Sequence, residues 1–382
     1  MYFSMNDSKF IYEYNIVEDE TFKKYILEHK ELHKYFILDF KGLKTQQYCG
    51  VLNTNGEAIY LLPKIAKDDE KNLDIFIYML MYSYDIKLEN EDIASCKNEK
   101  HNILEVFIQL FAQRLFKEFK SGIYKEYVTE KENRTTLRGK YLINENMKYN
   151  FVKNKIYCEY DEFSENNSLN QFFLYTLKTL GKYTQNKKLL KQCELVLDEV
   201  EYNQFDLKHL NIHFSRLNKR FQSSFEFAIL LLKKSIPLFS QDKKSFAFLF
   251  NMNVLFEKFI GKIYEDIDSS TELQIEKNFA NLKLKPDIIT SSMIIDIKYK
   301  KVKTKKELSS TDKYQMFVYG INFGVKKTML LYPEHIVSVK EDLELGIDDT
   351  MIELKMRSLD LDFDGGYCEF IDEIRKRLEK IC

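Results

Sequence analysis

The sequence predicts a multidomain α+β protein. A β-rich N-terminal module (1–123) is followed by a connector and helical middle region (124–245), then by a C-terminal α/β domain with a mixed sheet (246–382). Three observations predict this. The 382 residues exceed the roughly 100–200 of an ordinary domain, so two or three cores are expected. The patterning of apolar residues changes character near residue 145 and again near residue 246. Hydrophobic residues at 45%, with 30 Phe and 25 Tyr, supply enough apolar surface for those cores and exclude a largely disordered chain.

In the first module, 35–40 (YFILDF), 45–52 (TQQYCGVL) and 57–62 (EAIYLL) predict short strands. The intervening Asn53-Thr54-Asn55-Gly56 predicts a hairpin turn, because Asn and Gly tolerate positive φ. Helices are expected at about 72–84 and 102–119, the second with apolar positions 103, 106, 107, 110, 111 and 115, and both should pack on that sheet. The polar stretch 124–144 reads as a connector with short strands and a tight basic turn at Arg138-Gly139-Lys140. Helices follow at 166–184, 187–200 and 222–238. In the last domain the order is a long helix at 246–265, a strand at 272–279, paired strands at 284–290 and 293–300, a lysine-rich loop, a helix at 311–323 and a strand at 327–332, an α/β arrangement.

Bulk properties narrow the function. Fifty-eight basic residues against 59 acidic ones give a net charge of −1, so any contact with a polyanion must come from a local patch or from a partner. The six cysteines form no CxxC pair and have no His partner at metal-ligand spacing, which argues against zinc and against a disulfide framework and favours reduced thiols in a cytoplasmic protein. The N-terminus has no signal-peptide pattern, and no run of about 18 apolar residues suggests a membrane span.

The chemistry concentrates in LKPDIITSSMIIDIKYK. Side chains along 293–300 alternate, so Met293, Ile295 and Ile297 face one way and Asp296 and Lys298 the other. If Ser291-Ser292 is a two-residue loop, residue i pairs with residue 583 − i, and Asp287 falls opposite Asp296. Two such carboxylates repel unless a cation lies between them, and hard oxygen donors suit Mg²⁺ or Mn²⁺. Lys298 would then orient or deprotonate the attacking water, or stabilise charge on a phosphate. The plainer alternative is a surface hairpin bearing an ion pair; against it, both aspartates sit in runs of Ile, where an unused charge is costly.

Around this core stand further candidates. Glu257, in the helix with apolar stripe 252, 255, 256, 259, 260 and 263, is either a third metal ligand or a surface acid paired with Lys258 or Lys262. Lys298 to Lys306 holds six lysines in nine residues; Lys300 and Lys301 are candidate DNA contacts, or part of a solvated loop. In the 311–323 helix, Tyr314, Phe317, Val318 and Ile321 are expected to be buried, leaving Gln315 and Tyr319 at i, i+4 to approach water or phosphate, with Tyr319 alternatively a core residue.

Phe256-Glu257, Pro286-Asp287, Asp296-Ile297-Lys298-Tyr299-Lys300 and Asp312-Lys313-Tyr314-Gln315-Met316 with Tyr319, in this order, resemble the C-terminal nuclease domain of McrC-family proteins. Gly50-Val51-Leu52, Leu62-Pro63-Lys64-Ile65, Leu137-Arg138-Gly139 and Glu165-Asn166-Asn167 look like the family's upstream patterns. The resemblance implies a PD-(D/E)xK restriction-endonuclease-like domain. It also implies the nuclease subunit of a McrBC-type, modification-dependent restriction system that cuts methylated double-stranded DNA. The implied partner is an McrB-like hexameric AAA+ GTPase, bound through the N-terminal region and stimulated by this chain. GTP would belong to that partner; this chain has no GxxxxGK[ST] loop and is expected to bind no nucleotide itself. Two other readings compete. One is a non-catalytic adaptor that activates an AAA+ motor and keeps the nuclease fold as scaffold. The other, a standalone repair nuclease, is disfavoured by the near-neutral charge.

Overall fold

A computed structural model describes residues 9–54, 57–66, 68–86, 103–152, 154–237, 246–300, 302, 304, 307–334 and 338–381. Two compact units emerge, Met1–Ile103 with Ile236–Cys382, and Leu104–Ser235. This division differs from three consecutive blocks, and one strand explains the difference.

Phe246–Asn251 (FAFLFN), expected to open a long helix, is instead a strand of the N-terminal sheet. Aromatic side chains favour a pleated, two-sided environment, and here Phe248 and Phe250 face one way while Leu249 enters the core on the other side with Leu52, Ile59 and Leu61. The strand runs antiparallel to Tyr48–Thr54, with Leu249 opposite Gly50. Gly50 has φ +143, and a Cβ there would stand 2.0 Å from the Phe248 carbonyl oxygen, so only glycine fits. The helix begins after this strand, at Met252, where the Asn251 side chain accepts the Asn253 N–H at 2.9 Å and caps it.

Tyr48–Thr54 pairs antiparallel with Glu57–Leu62, Thr54 opposite Glu57, which is the expected hairpin; Asn55 and Gly56 themselves lie outside the described residues. Helix Asp69–Ser83 packs on this sheet, Phe76 meeting Phe250 edge-on at 6.1 Å. The second expected helix, Ile103–Lys120, does not pack there: Phe107 and Phe111 meet Phe227, and Phe119 meets Phe173 and Phe221, all in the other unit.

That unit also corrects the expectation of a helical 145–245. Ile156–Ser164 is a nine-residue strand, paired along its length with Glu126–Arg134 and flanked by Lys140–Tyr141. Its alternation, with Cys158 and Tyr160 buried, is a period-2 signal. The helices Ser168–Leu180, Lys188–Val196 and Gln222–Lys234 fall near their expected places. Asn167 caps the first by accepting the Asn170 N–H, and both Asn side chains donate to the Tyr124 carbonyl at 3.1 and 2.8 Å, which gives the Glu165-Asn166-Asn167 motif a structural role.

The C-terminal sheet is mixed, as expected. Its order is Glu272–Leu273, Ile288–Ile289, Ile294–Ile297, Lys327–Pro333, Ile352–Leu359, Lys340–Leu345. The three central strands are parallel to one another and the outer pairs antiparallel. Helix Ser310–Phe323 makes the crossover that a parallel pair requires. The strand expected at 272–279 is broken: Glu272–Leu273 stops at Gln274, whose φ is +48, and Lys277–Phe279 forms a separate hairpin with Leu282–Leu284. The crossover helix buries Asp312, Met316, Tyr319 and Gly320 rather than the stripe expected; Tyr314 is 69% and Ile321 42% exposed. Helix Tyr367–Ile381 completes the unit.

Candidate active site

The acid-bearing hairpin has the expected register. Thr290 N–H donates to Met293 O at 2.9 Å around the Ser291-Ser292 loop, Ile289 lies opposite Ile294, and Ile288 opposite Ile295. One step further, the same register sets Asp287 beside Asp296. The paired strands are shorter than expected, and Asp287 uses its side chain where the ladder ends: its Oδ2 accepts the Ile297 N–H at 2.7 Å.

Asp296 is 2% exposed. Its face of the strand also carries Ile294, packed with Met316, Tyr319 and Leu330, so the expectation of one packed and one working face needs correction: both are packed, as central parallel strands require. Asp296 Oδ2 lies 2.5 Å from Lys298 Nζ, an ion pair, and Oδ1 accepts from Gln315 Nε2 at 3.2 Å. Lys298 Nζ in turn donates to Gln315 Oε1 at 3.3 Å. Gln315 Nε2 also donates to the Tyr319 hydroxyl at 2.9 Å, and that hydroxyl donates to the Lys285 carbonyl at 3.0 Å. Gln315 and Tyr319, expected to reach water or phosphate, therefore brace the acid, the amine and the backbone leading to Pro286-Asp287. Tyr319 is a core residue whose hydroxyl borders the candidate site.

Glu257 borders the same site. It accepts a hydrogen bond from the Gln274 side chain, whose Oε1 takes one from Lys285 Nζ at 3.2 Å. Of the lysines expected as alternative partners, Lys262 pairs with Asp85 and Lys258 lies over the Tyr84 ring. Lys300 is turned to the buried Asp312 near the start of the crossover helix, which commits its ammonium within the fold. Lys301 lies outside the described residues. Gln274 and Lys285 were not among the sequence candidates, and Asp312, which stood there only within the 312–316 motif, is the acid in the first turn after the Ser309 cap.

The electrostatics follow from burial. Desolvation pushes the Asp287 carboxyl well above the usual range, opposed by the Ile297 N–H and reinforced by Glu257. Desolvation also raises Asp296, with the Asp287 charge adding to it and Lys298 opposing. Lys298 is held above its ordinary value: burial works against its charge, but Asp296, Asp287 and Asp312 outweigh burial. Two acids thus share one amine, and the surplus negative charge calls for a proton or a cation. The donor set, hard carboxylate oxygens, fits Mg²⁺, which takes one or two protein carboxylates and keeps several waters. Among the described residues, no three His, Cys, Asp or Glu side chains are gathered as a ready-made cage. Asp287 and Asp296 are the two carboxylates here that could face such an ion, with Glu257 at the border.

Cys49, Cys158, Cys193 and Cys368 are free thiols, the first three buried. No helix among the described residues is long and apolar enough to cross a membrane.

Among solved structures, the fold is similar to a chain of the refined half-complex from the tetradecameric assembly of Thermococcus gammatolerans McrB AAA+ hexamers with bound McrC. The TM-score is 0.67 at 23% identity, covering 98% of this chain and 100% of that one. A chain of the cryo-EM structure of the Thermococcus gammatolerans McrBC complex is 26% identical, over 68% of this chain and 87% of that one, with TM-score 0.49. No functionally curated protein matches the sequence. Residues 43–333 match the model described as McrBC 5-methylcytosine restriction system component, a span holding every motif on which the McrC resemblance was read. That resemblance is borne out, and the chain belongs to the family of McrBC 5-methylcytosine restriction system components.

Proposed function

We propose that this chain is the Mg²⁺-dependent endonuclease subunit of a modification-dependent restriction complex, with a PD-(D/E)xK site that hydrolyses phosphodiester bonds in methylated double-stranded DNA. The observation that carries the reading is the pairing of two repelling carboxylates, half-buried Asp287 and buried Asp296, with the Lys298 amine 2.5 Å from Asp296. A fold gains nothing in stability from such a pair, whereas a site handling a cation and a phosphate needs it.

In this reading Asp287 and Asp296 would hold the cation, which supplies charge neutralisation and polarisation of the scissile phosphate. Lys298 orients the attacking water or stabilises the charge that develops on phosphate oxygens. Gln315 fixes Lys298 against Asp296, and Tyr319 fixes the Lys285 carbonyl, so neither acid nor amine must reorganise during reaction. Glu257 serves as an auxiliary acid through its influence on Asp287. Lys300 and Lys301 remain proposed DNA contacts, Lys300 only after release from Asp312.

The relative of known structure is described as McrC bound to McrB AAA+ hexamers, and a comparable GTPase ring is the proposed partner here, carrying the GTP and stimulated by this chain. The test is cleavage of methylated DNA by this chain with its ring partner, GTP and Mg²⁺. Cutting that Asp287→Ala, Asp296→Ala and Lys298→Ala each abolish supports the reading. Stimulated GTP hydrolysis with no cutting by the wild type would hand the role to a non-catalytic adaptor.

A further inference from the structure

Lys298 lies just beyond the last residue of its strand, Ile297, and the sheet holds it by one backbone bond, Lys298 N–H to Leu331 O at 2.9 Å. The chain then turns sharply, with Lys300 N–H on the Lys298 carbonyl at 3.0 Å. A side chain at such a position needs a second anchor if its amine is to stand in one place. Tyr299 provides one. It is buried, it meets Phe256 edge-on at 5.8 Å, and its hydroxyl donates to Glu13 Oε1 at 2.6 Å. Phe256 is the residue before Glu257, so Tyr299, itself next to Lys298, also touches the neighbour of a second proposed site residue.

Glu13 belongs to the far end of the sequence. It follows the strand Lys9–Tyr12, is 1% exposed, and also accepts the Lys64 N–H at 3.0 Å from the Leu62-Pro63-Lys64-Ile65 motif. Its second oxygen, Oε2, has no hydrogen-bond partner among the described residues. Burial pushes this carboxyl up to about 7, opposed by the Tyr299 and Lys64 hydrogen bonds. An acid placed this deep is costly, and a hydrophobic side chain would close the same space more cheaply. What the acid adds is direction: a fixed acceptor for the Tyr299 hydroxyl.

We propose that Glu13 and Tyr299 are positioning residues for DNA cleavage: their buried hydrogen bond ties the N-terminal strand and the Leu62–Ile65 motif to the residue after Lys298, and so sets where the Lys298 amine stands. The inference rests on the nuclease reading of Lys298. It also gives the N-terminal module a share in catalysis without any contact with DNA.

The variants Tyr299→Phe, which removes only the hydroxyl, and Glu13→Gln, which keeps an oxygen acceptor, separate this role from general packing. In the assembled complex, Tyr299→Phe should lose about tenfold in kcat for cleavage, as slight misplacement of a reacting group does, with KM for DNA and stimulated GTP hydrolysis unchanged. Glu13→Gln should stay within about twofold of wild type, and Glu13→Ala should match Tyr299→Phe. Hydrogen exchange on the isolated chain gives a readout without activity: the Lys298 amide should exchange faster in Tyr299→Phe, while amides of Ile352–Leu359 in the same sheet should not change. Wild-type kcat in Tyr299→Phe, an equal fall in cleavage and GTP hydrolysis, or unchanged exchange at Lys298 each overturns the inference. A wild-type complex that never cuts overturns the nuclease reading instead, and the exchange result then decides whether the anchor itself exists.

Discussion

Along the ribbon formed by Glu126–Arg134 and Ile156–Ser164, both basic residues stand on solvated acids: Lys131 lies 2.9 Å from Glu159, and Arg134 2.6 Å from Glu132. In the C-terminal sheet, Asp287 and Asp296 are drawn in among isoleucines with one amine for the two of them. The direction of the shifts separates the two regions. Glu159 is lowered, chiefly by its hydrogen bond to Lys131, and Glu132 is lowered by Tyr160 and then Arg134. Both sheet acids are raised, chiefly by burial. The solvated ribbon thus lowers its paired acids, whereas the sheet hairpin raises both of its own.

The widest separation should come from Asp296→Ala and Lys298→Ala, each expected to reduce cleavage on the order of 10³-fold while leaving stimulated GTP hydrolysis intact. Parallel cleavage and GTPase assays on the assembled complex measure it, and residual cutting near wild type would erase the contrast.

A smaller effect is expected for stability against pH. Because both sheet acids are raised in the folded state, the stability they contribute is present below the ordinary carboxylate range and lost as pH rises toward neutrality. The unfolding free energy of the metal-free chain, read from denaturant titrations, should fall over that window by on the order of 2 kcal/mol. Asp296→Asn should flatten the fall, and Mg²⁺ at about 100 times its Kd should restore roughly 2.7 kcal/mol to the wild type at neutral pH. A midpoint that rises with pH in the metal-free wild type would contradict the assignment.

Tyr319→Phe sharpens the comparison further. It leaves the Lys285 carbonyl and Gln315 without the hydroxyl and should cost about 1–2 kcal/mol and about tenfold in cleavage, read by thermal melting and the same assay. At the bottom of the scale, Lys131→Ala on the ribbon should leave the melting temperature unchanged within error, since solvated pairs contribute little. A large drop there would mean that the ribbon, too, depends on its charges.

The acid hairpin was legible because a two-residue turn and a side-chain period of two fix register once one residue is placed, and Asp287, Asp296 and Lys298 needed nothing else. The mixed sheet followed from element order. What sequence could not yield were the choices made by tertiary packing. Phe246–Asn251 has no polar residue before Asn251 to reveal its period, so a run of aromatics beside a helical stripe merged with it. The pairing of Lys300 with Asp312 and of Glu257 with Gln274 joins residues whose proximity only the folded sheet creates. Tyr299 stood only as a member of the Asp296–Lys300 motif, and no local pattern could pair it with Glu13, 286 positions away.

The strand Phe246–Asn251 also decides how the molecule can be taken apart. Residues 104–235 are an excursion from a unit that resumes at 236, and the chain re-enters that unit by lending strands to the sheet begun before residue 63. A nuclease fragment cut at 246 would carry an orphaned aromatic strand, and the remaining N-terminal piece would bare the edge of Tyr48–Thr54 to self-association. Dissection should instead lift out the excursion whole and rejoin its flanks, so that the proposed cutting centre keeps its amino-terminal sheet.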